Sequence, residues 1–263
     1  MQINACTKKK KQGALRRVLS YWQSYALILP AILTTGLFHY YPIYGIQIAF
    51  KNFKNSRGIW GSAWVGLKHF RNMANTMDPS VLINTLSIRL YSIAVFPCAV
   101  LFALMLNEVR NMRFKKTVQM VSYAPHFIST VVIVSILQCF FQRSNGLVNN
   151  VLELMGKERV DFLNLPHLFS TMYVWSGVWQ NVGWDAIIYI AALAGVSLDL
   201  IEAAKIDGAN RLQIVLHVNI PHILPTIVTL LILRTGSVLS VGFEKIFLMQ
   251  TPLNLEASRV LST

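Results

Sequence analysis

Apolar residues gather in five long runs, at residues 25–46, 86–106, 118–141, 169–194 and 226–249. Each is at or above the ~20 residues that a helix needs to cross a bilayer. None of the runs alternates apolar and polar side chains with the period of two that a membrane β-barrel requires. The pattern therefore predicts an all-α, polytopic transmembrane helical bundle. Prolines at positions 30 and 42 fall inside the first run, which a bundle tolerates where neighbouring groups re-satisfy the freed backbone.

The segment between the fourth and fifth runs breaks the pattern with the short polar stretch EAAKIDGAN, Glu202 to Asn210. Ser197 is suited to cap a helix whose first turn holds Asp199, which predicts a helix over Leu198–Ile206. Asp207-Gly208 would end it, because glycine enters the left-handed region without a Cβ penalty. A second helix from about Asn210 would place Leu212, Val215 and Leu216 on one apolar face, with Pro221 and Pro225 closing the segment. The expected result is a helix, a sharp turn and a second helix at the membrane surface. Ala203 and Ala204 give the first helix a low profile, and Glu202, Lys205, Asp207 and Arg211 supply two charges of each sign. Such a knob suits a groove in another protein. The same spacing also describes an amphipathic connector between two spans, and the residues leave both readings open.

Composition agrees with the membrane reading: 54% of the residues are hydrophobic and 13% charged, too little polar surface for a soluble domain of this size. The formal net charge of +13 is scattered along segments flanking the apolar runs, which is how orientation signals are written and not how a nucleic-acid face is built. Lys8, Lys9, Lys10, Lys11, Arg16 and Arg17 precede the first run with no acid among them, so residues 1–24 read as a basic cytoplasmic tail and residues 25–263 as the membrane domain. Arg110, Arg113, Lys115 and Lys116 fit a second inside loop, whereas Lys51, Lys54, Arg57, Lys68 and Arg71 lie in a segment this orientation places outside. With the N-terminus inside, EAAKIDGAN is cytoplasmic. The four consecutive lysines also suit contact with membrane lipid. Cys6, Cys98 and Cys139 have no CxxC spacing, and His217 and His222 are five apart, off a common helix face, so neither a disulfide nor a metal site is expected.

Charges within apolar runs commonly face a cavity or a partner. Arg89, Asp185 and Arg234 are in that position, and Trp179, Trp184 and Tyr189 near them could stack on a sugar ring or anchor the chain at the membrane interface. Together, Trp179, Trp184, Asp185 and Tyr189 are the candidate substrate path. The chain carries no GxxxxGK[ST], GxSxG or HExxH, so neither P-loop nucleotide binding nor hydrolytic catalysis is expected of it.

The order Glu202-Ala203-Ala204, Asp207-Gly208-Ala209, Ile220-Pro221 and Pro225 resembles the EAA loop of binding-protein-dependent ABC import permeases, with Val215 where many members carry an aromatic residue. FHYYPIYGIQIAFKNF, WVGLKHF, NTLSIRLYSIAVFP, LNEVRNMRFKKTVQMVSYAPHFIST, GWDAIIYIAALAGV and GFEKIFLMQ extend the likeness along nearly the whole chain. They resemble the carbohydrate-uptake branch and its LplB-type oligosaccharide and polysaccharide permeases. The resemblance implies a type I ABC importer in the bacterial plasma membrane, with this chain as one permease and no enzyme. Its partners would be a cytoplasmic ATPase dimer that binds ATP and Mg, a second permease, expected to be a different chain, and an extracytoplasmic carbohydrate-binding protein.

It also implies that residues 197–225 hold the coupling helix, with Glu202, Ala203, Ala204, Lys205, Asp207, Gly208, Ala209, Arg211, Ile220, Pro221 and Pro225 as the ATPase-coupling loop. Members usually continue past ASRVLST into a further span, so a sixth span is expected to be missing here, which keeps open a non-translocating scaffold that docks an ATPase.

Overall fold

The structure, a computed structural model, describes residues 21–239 and 241–263. The basic residues expected to form a cytoplasmic tail lie outside the described residues. The chain divides after Met77 into two units.

In the first unit, Trp22–Phe50 forms one apolar helix long enough to span a membrane. It changes gauge along its length: α1 is regular over Trp22–Thr35, a π turn follows at Gly36–Tyr40, and a 3-10 stretch occupies Tyr41–Phe50. Pro30 sits within α1 and Pro42 at the start of the 3-10 stretch, so the second missing N–H falls where the hydrogen-bonding pattern already switches. Beyond it Phe50 stacks on Trp64 at 5.7 Å, and Lys51 Nζ donates to the Ile59 carbonyl at 2.9 Å. A short amphipathic helix, α2, spans Lys68–Thr76.

The second unit opens with α3, Pro79–Ala94. Asp78 caps it by accepting from the Ser80 N–H at 2.9 Å, with Pro79 in the first turn, where no donor is lost. A break at Val95 and Phe96 leads into α4, Pro97–Glu108, and the two are together long and apolar enough to cross a membrane. Asn111 caps α5, Met112–Tyr123, by accepting from the Arg113 and Phe114 N–H groups.

The third run, expected as one span over residues 118–141, is broken. α5 continues through a 3-10 turn at Ala124–Phe127, and the chain then bends by 104° into α6, Thr130–Phe141. Pro125 withholds a donor and Ile128 and Ser129 are extended, local geometry that average hydropathy does not register. After α7, Leu147–Leu154, the 28-residue α8, Pro166–Leu193, matches the fourth run.

α8 is the hub, packing against α3, α4, α5 and a later helix, α11. Phe96 at the break and Ala99, Val100, Ala103 and Leu104 on α4 form a buried stripe at i, i+3, i+4, i+7 and i+8, which meets Ala186, Tyr189 and Leu193 of α8 and Ile223. The small residues Ala99, Ala103 and Ala186 allow the close helix approach on which membrane bundles depend. Gly183 serves the same end against α5: a Cβ there would come within 2.9 Å of Ser122 Cβ and closer still to the Ser122 carbonyl.

The fifth run also differs from expectation. After α9, Leu198–Ile206, comes α10, Arg211–Ile214. A π turn at Val215–Asn219 joins α10 to α11, Ile220–Gly236, making one continuous 26-residue apolar helix. Pro221 and Pro225 therefore do not close a surface helix. The wide turn places Pro221 near the start of a new regular segment, where its missing N–H and ring are tolerated, and Pro225 is carried inside α11. Nor does the span reach residue 249: α11 ends at Gly236, and α12, Phe243–Met249, is a separate helix packed on α6. The one-turn α13, Leu255–Ser258, lies against α8 and α3.

Candidate functional site

Two regions of the second unit carry the chemistry singled out in the sequence. The first is the turn between α9 and α10. Ser197 Oγ accepts from the Asp199 N–H at 3.2 Å, and α9 has the expected bounds. Its exit is a Schellman motif: Gly208 adopts φ +82°, the Ala209 N–H returns to the Ala204 carbonyl at 2.9 Å, and the Gly208 N–H reaches the Lys205 carbonyl at 3.1 Å.

The next residue starts the following helix. Asn210 Oδ1 accepts from the Gln213 N–H at 2.9 Å, while Gln213 Oε1 accepts from the Asn210 N–H at 2.7 Å, a reciprocal capping box. The spacing of Asn210 and Gln213, three apart, is the sequence signature of this box.

These bonds satisfy the elbow's backbone internally, which leaves the side chains free. Glu202, Ala203, Lys205, Asp207, Gly208 and Arg211 are exposed and Ala204 and Ala209 half-buried; Ile206 is 86% exposed. Ala204, Asp207, Gly208, Gln213, Ile214 and His217 line a concavity of about 290 Å³ behind the elbow. Of the face expected from spacing, Val215 packs on the core whereas Leu212 and Leu216 point outward, and the buried positions are Ile214 and Asn219. Ile220 packs on the core, whereas Pro221 and Pro225 are exposed.

The second region is a cavity of about 300 Å³ among α3, α4, α8, α11 and α12, whose charged lining is Arg89, Asp185, Arg234 and Lys245. Asp185 and Arg234 form a salt bridge, and the Arg234 guanidinium lies 5.4 Å from the Phe96 ring centroid. Arg89 donates through Nε to the Ser237 carbonyl at 3.0 Å and through Nη2 to Ser237 Oγ at 2.8 Å. Lys245 Nζ donates to the Tyr173 carbonyl at 3.2 Å and stands 5.1 Å from that ring's centroid. Ser92, Gln180 and Asn181 add neutral hydrogen-bonding groups.

Of the four candidate path residues, Asp185 is in this lining and the three aromatics are not. Tyr189 is 1% exposed and packs edge-on to Phe96. Trp184 stacks on His126 at 4.4 Å, beside the bend between α5 and α6, and His126 is held by Asn181 at 2.9 Å. Trp179, half-exposed, lines a separate apolar hollow with Phe102, Val121 and Pro125. Lys245 joins this lining from outside the sequence-based candidates, although it too is a charge inside the fifth apolar run.

The family model described as "Binding-protein-dependent transport system inner membrane component" matches residues 96–257. The chain is 39% identical over 258 residues to the polygalacturonan/rhamnogalacturonan transport system permease protein YteP of Bacillus subtilis (strain 168), covering 97% of this chain and 80% of that one. It is 38% identical over 243 residues to protein LplB of the same organism, covering 91% and 76%. Among solved structures it is similar to a bacterial ABC transporter involved in import of the acidic polysaccharide alginate, with TM-score 0.87 and 37% identity over 96% of this chain and 85% of that chain. A bacterial alginate ABC transporter in complex with an alginate pentasaccharide-bound periplasmic protein gives TM-score 0.86 and 36% identity over 95% and 84%.

Proposed function

The chain belongs to the family of binding-protein-dependent transport system inner membrane components, and on that premise we propose that it is a saccharide permease driven through the elbow between α9 and α10. It is the membrane component of an ABC importer and not a catalyst. ATP and Mg are held by a cytoplasmic ATPase dimer, a second permease completes the membrane unit, and an extracytoplasmic binding protein delivers an oligosaccharide or polysaccharide fragment. The names of the similar proteins support this: one is a polygalacturonan/rhamnogalacturonan permease, one is involved in import of the acidic polysaccharide alginate, and one alginate transporter is in complex with a pentasaccharide-bound periplasmic protein.

The observation that carries the coupling role is the elbow's attachment. α9 hangs from α8 through a bend of 77°, and α10 continues through the π turn into α11. The elbow is thus tied at its two ends to α8 and α11, the two helices that hold Asp185 and Arg234, the salt-bridged pair in the cavity wall. From Arg211 to Arg234 the continuous helix is roughly 35 Å long at about 1.5 Å per residue. Movement of an ATPase groove around Ala203, Ala204 and Gly208 would shift α8 against α11 and strain the pair at the cavity. Glu202, Lys205, Asp207 and Arg211 supply the polar contacts in that groove, and Ala209, Ile220, Pro221 and Pro225 set the exit path into α11. In this reading the elbow and the N-terminus face the cytoplasm.

The test is ATP-driven uptake of labelled oligosaccharide into proteoliposomes holding both permeases and the ATPase, with the binding protein supplied on the outside. Uptake that requires all four components and ATP is the expected result. A membrane complex that assembles and hydrolyses ATP in response to loaded binding protein, yet moves no saccharide, would refute it.

A further inference from the structure

We infer that the cavity between α8 and α11 recognises the carboxylate of a uronic-acid saccharide through Arg89 and Lys245. The inference rests on the saccharide-permease reading and adds the charge of the substrate and the groups that read it. Three cations and one carboxylate face the cavity. The carboxylate of Asp185 is taken by Arg234. Among the described residues, neither Arg89 nor Lys245 has a carboxylate within 4.0 Å. Their hydrogen bonds go to neutral acceptors, Ser237 for Arg89 and the Tyr173 carbonyl for Lys245. These bonds orient the side chains without neutralising them.

Two unneutralised positive charges on the wall of a cavity among apolar helices are unfavourable unless an anion joins them. Lys245 Nζ keeps two N–H donors beyond the one it spends, and Arg89 keeps its Nη1 donors, so both can make charge-assisted bonds to carboxylate oxygens. A neutral sugar could use Ser92, Gln180 and Asn181 but would leave the charges as they are. The volume, about 300 Å³, is at the small end of ligand sites, ~300–1,000 Å³, which suits a segment of an oligosaccharide chain.

Saturation-transfer NMR on the assembled membrane complex in nanodiscs, without the binding protein, tests this directly with trigalacturonate and its methyl ester as paired probes. The native complex should bind the free acid about tenfold or more tightly than the ester, the size of one charge-assisted contact. Arg89→Gln and Lys245→Gln should each bring that ratio close to one, and Lys245→Arg should retain it. Co-purification of the partner subunits shows that each variant has assembled.

Equal binding of acid and ester by the native complex would overturn the inference and leave the saccharide reading standing, as would a ratio unchanged in both glutamine variants. Displacement of the acid by inorganic phosphate at equal concentration would overturn it in favour of a general anion site. Absence of binding by either saccharide would also overturn the inference, while ATP-driven uptake by the four-component importer tests the saccharide-permease reading on its own.

Discussion

Gly208 offers the sharpest perturbation of the elbow. Its φ of +82° lies in the left-handed region, and a Cβ built on it would meet nothing within 4 Å. Within this chain, substitution therefore acts through backbone conformation, with no clash against the chain's own atoms. Alanine should disfavour the observed turn by about 1–2 kcal/mol, a shift of roughly 5- to 30-fold in the population of the formed elbow. Asparagine, which enters this region more readily, should have a smaller effect. Proline, fixed near φ −65° and lacking the N–H that reaches the Lys205 carbonyl, should abolish the motif. The assay is the ratio of saccharide imported to ATP hydrolysed in proteoliposomes, with membrane abundance followed by immunoblot. Coupling should fall in the order native, Asn, Ala, Pro while abundance holds. Native coupling in Gly208→Pro, or equal damage from Asn and Pro, would refute the role given to this turn.

Three further outcomes follow from the same geometry. Asn210→Ala removes one half of the capping box and should destabilise the start of α10 by about 1 kcal/mol, read as faster amide exchange over Arg211–Ile214. Gly183→Val drives a side chain into the Ser122 backbone and should lower the thermal stability of the purified complex by about 1–3 kcal/mol, with Gly183→Ala intermediate in the same melt. Arg234→Gln strands the Asp185 carboxylate in the cavity wall. It should reduce uptake more than Asp185→Asn combined with Arg234→Gln does, a non-additivity that a double-mutant cycle on transport rate measures.

The elbow was largely legible in the sequence because each of its determinants is local. Ser197 as cap, Asp207-Gly208 as terminator and the helix between them need only neighbours in the chain. The membrane spans were legible only as apolar mass. Averaged hydropathy merged α5 with α6 across the break at Pro125, and merged α11 with α12 across Ser237 to Gly242, because a turn made of apolar and small residues has the composition of a span. The prolines at 221 and 225 misled for the opposite reason: a π turn absorbs the first, and nothing in the composition announces it.

Arg89, Asp185 and Arg234 stood out as charges in apolar runs, but their convergence depends on how α3, α8 and α11 pack, which no local pattern encodes. Lys245 joins them only because α12 turns back toward α8. Of the aromatic candidates on α8, Tyr189, four residues on from Asp185, lines a smaller hollow with Asp185 and Arg234, whereas Trp184, adjacent to Asp185, diverges from it by about 100° around the helix.

The central claim is that the elbow receives the ATPase, and a photo-crosslinking residue at Ala203 tests it most directly. In the assembled importer this exposed position on α9 should crosslink to the cytoplasmic ATPase subunit, from the cytoplasmic side. Crosslinks to lipid or to the extracytoplasmic binding protein alone, from a complex that still contains the ATPase, would contradict the account.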